Sequence, residues 1–180
     1  MSIDARLAEF HAKIEEHLRL VDASAQVVLK GHLLIEESLS SIIGKFVFHD
    51  EFIQEARLQF SQKIEVARSM SLDEHDNEMW VLGKAINTLR NELAHSLKSE
   101  KRRIKTDNVI DLYLKALDDE EERERHRKES EEVLLLWAIT LFMGFLASFE
   151  SEVERFRLIV RTMDEVYNPH RHNKPPSTTD

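Results

Sequence analysis

All three prolines of this chain stand at or beyond position 169, and the residues before them contain only four glycines. A β protein built from short strands needs a turn every few residues, and turns draw on Gly and Pro for backbone angles that other residues resist. With so little punctuation, the chain is predicted to be all-α. The apolar residues agree, because they recur at spacings of three and four. Ile3, Leu7, Phe10, Ile14, Leu18 and Val21 mark an amphipathic helix. Asp22 or Ser24 is placed to cap a second, which runs from Ala25 to about Phe48. Its buried face is expected to hold Val28, Ile35, Leu39, Ile42 and Phe46, widened by Val27 and Leu34. Gly31 and Gly44 near that face would admit a neighbouring helix.

The 180 residues suit one domain, and no cysteine is present for disulfide or thiolate chemistry. Asp4, Glu9, Glu15 and Glu16 argue against a secretory leader, so a cytoplasmic location is expected. The net charge of −9 excludes a protein that coats nucleic acid by bulk phosphate attraction, while leaving room for a small basic site.

Residues 49–56 read as a loop or a helical turn. From Arg57 to Met70, Leu58, Ile64 and Ala67 fall on one face with Phe60 beside them. The polar run 71–77 then breaks the chain, and Asp76 or Asn77 is placed to cap a helix over about 78–97. With Ile86 as zero and about 100° per residue, Leu82, Leu89 and Leu93 form its apolar stripe. Arg90 lies at about 40° on the rim, Asn91 at about 140° and His95 at about 180°. Arg90 keeps its charge at any working pH and forks onto phosphate. His95 has a side chain that exchanges protons near neutrality. A fixed cation with a titratable imidazole can serve metal-free phosphodiester chemistry, although a histidine on a polar helix face is equally an ordinary surface residue.

Lys98 to Lys105 is basic and reads either as a phosphate-binding rim or as the charged last turn of the preceding helix. Thr106-Asp107-Asn108 is expected to cap a fresh helix through Leu117. Residues 118–132 are nearly all charged, which fits a solvated helix or a connector. Val133 to Phe149 carries seventeen residues without a charge. A helix of that length spans about 25 Å, short of a bilayer core, so burial against the core or a partner subunit is expected. Thr140, Gly144 and Ser148 recur every four residues as a close-packing strip. Asn168-Pro169 should end the helix, and 168–180 should be a disordered tail. His32 with Glu36, and His170 with His172, have metal-ligand spacings, but two groups do not make a cage, and no metal or cofactor is expected.

The stretch Leu89-Arg90-Asn91-Glu92-Leu93-Ala94-His95 resembles the signature of the HEPN superfamily: Arg, four to six residues, then His, often with a polar residue after the Arg. Gly31-His32-Leu33-Leu34-Ile35-Glu36 resembles that family's earlier helix, which often carries a polar residue facing the motif. Phe60-Ser61-Gln62-Lys63-Ile64 with Ala67-Arg68 resembles its linking segment. The likeness covers roughly residues 20–100. It implies a HEPN-like bundle of about five to six helices with a long C-terminal helix, over 1–167. It also implies a homodimer whose two motifs meet in a cleft. The implied activity is a metal-independent endoribonuclease, in a toxin or phage-defence role, acting on single-stranded RNA. His95 would be general base or acid, Arg90 would hold the scissile phosphate, Asn91 would orient the phosphate or the imidazole, and Glu36 would support them. The superfamily also contains non-catalytic regulators of the mannitol operon repressor type, and the acidic charge suits that alternative. Some members are toxins paired with an antitoxin that modifies a Tyr two positions after the His. Leu97 stands there, so that mode of silencing is not implied. Glu36 lies at the edge of its helix's apolar face, where a carboxylate is either solvated or turned toward the motif.

Overall fold

The computed structural model describes residues 23–73, 76–95 and 100–172, with the backbone alone for His95 and His172. These residues form helices and connecting turns: α1 (Ala23–Phe46), α2 (Asp50–Glu55), α3 (Phe60–Arg68), α4 (Met79–His95), α5 (Glu100–Lys115), α6 (Glu120–His126), α7 (Glu131–Tyr167) and α8 (Pro169–His172). The protein is an all-α bundle with a long C-terminal helix. Five longer helices build it, two short ones, α2 and α6, turn the chain between them, and the single turn of α8 follows α7. The amphipathic stretch expected over 3–21 lies outside the described residues.

α1 and α7 form the spine and run in the same direction. Ser38 on α1 reaches Met143 on α7, Ser41 reaches Glu150, and Phe46 stacks on Phe156. Lys45 bridges Glu150 and Glu154. Close approach begins at Gly31, where a Cβ would stand 2.5 Å from Ile139 Cδ1. Gly44 has no such role, since the nearest atom to a Cβ there is 3.8 Å away on Asp50. The core of α1 is Val28, Ile35, Leu39, Ile42 and Ile43. Leu34, expected to widen that face, is 53% exposed. At about 100° from Ile35 it falls outside the stripe that α4 and α7 cover.

α4 packs as its periodicity requires, with Leu82, Ile86, Leu89 and Leu93 buried. Asn77 caps it, its Oδ1 accepting from Met79 N–H at 2.9 Å. Asp76 instead receives Arg68 Nε–H at 2.7 Å. Trp80, which periodicity did not single out, stands edge-on to Phe145 and Phe149 at 4.9 and 5.4 Å between centroids. It anchors α4 on α7 through the offset geometry that aromatic quadrupoles favour.

Several boundaries differ from expectation. α5 runs unbroken from Glu100, so Thr106 is no cap; it is buried mid-helix. Of the basic run, Lys101, Arg102, Arg103 and Lys105 therefore lie in the first turns of α5, Lys98 lies outside the described residues, and Lys105 is tied to Glu92 at 2.6 Å. The charged run 118–132 holds α6, capped by Asp119 Oδ1 accepting from Glu121 N–H at 3.0 Å. α6 is pinned by His126, which shares a 2.7 Å hydrogen bond with Tyr113 and lies 4.1 Å from the Trp137 ring. Ser130 then caps α7, its Oγ accepting from Val133 N–H.

One face of the uncharged stretch is buried within the chain, through Leu134, Leu135, Ala138, Ile139, Phe142, Leu146 and Phe149. Thr140, Gly144 and Ser148 face outward, so the small-residue strip packs against no helix among the described residues. By length and composition α7 is apolar enough to cross a membrane. It ends at Tyr167, but the chain does not become irregular at once: Pro169 opens the single turn of α8. Residues 173–180 lie outside the described residues.

Candidate functional site

Three elements meet around the motif. α1 supplies His32 and Glu36, the start of α3 supplies Gln59, Phe60 and Ser61, and α4 supplies Asn87, Arg90 and Asn91. Together they line a polar cleft of about 290 Å³. Buried His32 and Phe60 form its floor, and exposed Gln59, Ser61 and Asn91 form its lip. The chain folds this way because α3 starts at the cleft. Gln59 N–H donates to Gln62 Oε1 at 2.8 Å, which closes the first turn and sets Phe60 inward.

The expected residues sort as follows. Arg90 and Asn91 both line the cleft, and Arg90 Nη1–H donates to Asn91 Oδ1 at 3.2 Å. Arg90 has no carboxylate partner among the described residues. Glu36 takes the inward option: it lines the same cleft and accepts from Lys63 Nζ at 2.8 Å. That pair is partly buried, which strengthens its attraction and cancels most of the acid's local charge. His95 ends α4, whose backbone is regular through that residue, so the Cα directions of Arg90 and His95 diverge by about 140°. The His95 side chain lies outside the described residues. Nothing in the described part of α4 bends Arg90 and His95 onto one face.

Two residues of the cleft were not anticipated as site residues. His32 is only 4% exposed and stacks on Phe60 at 4.0 Å between ring centroids. Its Nε2–H donates to Asn87 Oδ1 at 3.1 Å, while its Nδ1 is buried with no partner. Desolvation holds the imidazole below its ordinary pKa, opposed by the Asn87 hydrogen bond, and the Arg90 charge also disfavours protonation. The ring is therefore neutral at pH 7. Asn87 lies three residues before Arg90 and four before Asn91, a spacing that alone places all three on one flank of α4. His32 left a fainter trace, a polar residue within the buried periodicity of α1.

A second polar cleft, beside Trp80, contains Arg68, but there Asp76 and Glu65 already occupy the guanidinium. Of the guanidiniums in these two polar clefts, Arg68 is held by carboxylates and Arg90 is not, among the described residues. Among the described residues no three His, Asp or Glu side chains converge as a metal-ligand set. No family model, curated protein or solved structure matches this chain.

Proposed function

We propose that this protein is a metal-independent endoribonuclease of HEPN type, cytoplasmic, acting on single-stranded RNA as a homodimer in a toxin or defence setting. The observation that supports this reading is Arg90, a guanidinium without a carboxylate partner among the described residues, beside Asn91 in a polar cleft. Such a group offers paired donors to a phosphodiester and offsets the charge that grows in a pentavalent transition state. In the reaction, His95 takes the proton of a ribose 2′-hydroxyl and O2′ attacks the adjacent phosphorus. The P–O5′ bond then breaks and the leaving oxygen takes up a proton. The products are a 2′,3′-cyclic phosphate and a 5′-hydroxyl. Because Arg90 and His95 diverge on their helix, the imidazole would come from the second copy. Outer-facing Leu136, Thr140 and Gly144 on α7 are the surface this reading assigns to the dimer.

One gel tests it: wild type and His95→Ala, with RNA and DNA, with and without chelator. RNA cleavage that survives chelator, spares DNA and is lost in the variant supports the enzyme. Cleavage that persists in the variant removes His95 from the mechanism.

The same divergence favours a second reading, a non-catalytic HEPN-fold regulator or interaction protein whose cleft binds without cleaving. Clean wild-type protein that binds RNA or a protein partner and cleaves none of several RNAs would select it.

A further inference from the structure

We propose that Asn87 is a phosphate-binding residue of the Arg90 cleft and that the buried His32 orients it for that role. The argument is one of hydrogen-bond polarity. A side-chain amide has one acceptor oxygen and one donor NH2 group. Asn87 Oδ1 is occupied by His32 Nε2–H, and Asn91 Oδ1 by Arg90 Nη1–H. Both asparagines are left with their donors to offer. Arg90 adds its remaining N–H groups. Positions 87, 90 and 91 therefore present donors along one flank of a single helix, all lining one cleft. A phosphodiester, whose non-bridging oxygens only accept, matches that surface. The acid that lines the cleft, Glu36, is held by Lys63.

His32 makes the amide direction unique. Its Nδ1 has no acceptor within reach, so a proton there would be a buried, unanswered N–H. With its proton on Nε2, the ring accepts only the carbonyl end of Asn87, since the flipped amide would set donor against donor. Stacking on Phe60 fixes the plane of the ring. His32 is thus a positioning residue, acting through Asn87.

This inference rests on the proposed function only for the source of the phosphate, a nucleic-acid strand. Its test is direct binding. The full-length, 15N-labelled protein is titrated with an oligoribonucleotide fully 2′-O-methylated against cleavage, and separately with inorganic phosphate. The side-chain NH2 signals of Asn87 and Asn91 are expected to shift together and saturate at one Kd for the oligonucleotide, with weaker binding of inorganic phosphate. Asn87→Asp, which keeps the shape and removes the donors, should weaken binding about tenfold or more, as should His32→Phe, which keeps the stacked ring and removes Nε2–H. His32→Gln, which restores a donor, should recover part of the loss. In the wild type, long-range 15N correlations should find the His32 proton on Nε2, a readout that needs no variant to fold. A silent Asn87 amide, a proton on Nδ1, or unchanged affinity in a folded His32→Phe protein would overturn the proposal. Saturation by inorganic phosphate without binding of the strand would overturn the strand as source. Binding as described in a protein that cleaves no RNA would uphold this inference while removing the ribonuclease.

Discussion

The Phe142 ring fills the space a side chain at position 83 would need: a Cβ on Gly83 would lie 2.4 Å from Phe142 Cζ. Phe142 is fully buried, so it has no solvent side to move toward. Gly83→Ala should destabilise the fold, because overpacking costs about 1–3 kcal/mol while the better helix former returns about 1 kcal/mol or less. Urea unfolding of the two proteins measures the difference. An alanine protein more stable than wild type would mean that α4 and α7 stand further apart than described.

Leu89→Ala and Leu34→Ala form a matched pair. Leu89 is 1% exposed at the centre of the α4 stripe, and Leu34 is more than half exposed on α1. The first should cost about 2–5 kcal/mol and the second within about 0.5 kcal/mol. Equal losses from thermal or denaturant melts would show that α1 is covered on its Leu34 side.

Stability should fall as pH drops through 6.5, in a manner traceable to His32. Its folded pKa lies below the unfolded value of 6.5. Between those two values the unfolded chain binds a proton that the folded chain refuses, so lowering the pH favours unfolding. Below the folded pKa the effect levels off, and above 6.5 it vanishes. Glu65, Asp76 and Glu150 are held below the usual carboxylate range by Lys84, Arg68 and Lys45, so their contribution is lost in a separate, more acidic window. Denaturation midpoints for wild type and His32→Phe should diverge across the imidazole range. Parallel curves would show that His32 titrates as an exposed residue does.

Under the proposed function, Arg90→Ala and His95→Ala should each lose RNA cleavage, by about 10²–10³-fold for a lost charge-stabilising donor and about 10²–10⁴-fold for lost proton transfer. Mixing the two inactive proteins under subunit exchange decides where the histidine comes from. If each site combines Arg90 of one copy with His95 of the other, half of the dimers carry one intact site, and about a quarter of wild-type activity returns. Mixtures that stay inactive while exchange is demonstrated would place both residues in one subunit.

The helical class and the inward faces of α4 and α7 were legible because period and sparse punctuation report on burial directly. The motif and its upstream segment singled out Arg90, Asn91 and Glu36, and these three line one cleft. Asn87 was within reach of the same helical arithmetic, one turn before the motif. His32 was not, since its meaning depends on Phe60 stacking from α3 and Asn87 bonding from α4, contacts between distant parts of the chain. Thr106 misled for a related reason: a Thr-Asp-Asn run favours a cap locally, but burial of Thr106 within α5 overrides that preference.

α7 is one helix by its hydrogen bonds and two by its surroundings. Its buried residues end at Val153, yet the helix continues to Tyr167, a further stretch of about 21 Å. The α1 end clamps the beginning of that stretch, with Arg157 Nη1–H donating to the carbonyls of Lys45 and Val47. Beyond Arg157, exposed Leu158, Ile159, Met163 and Val166 have little of the bundle to hold them. Backbone amides in the buried middle of α7, around Phe142 and Leu146, should exchange with solvent only when the bundle opens, whereas those after Arg157 should need only the helix end to unwind. The far end of α7 is therefore expected to behave as a separate cooperative unit, one that melts and re-forms while the Arg90 cleft stays intact.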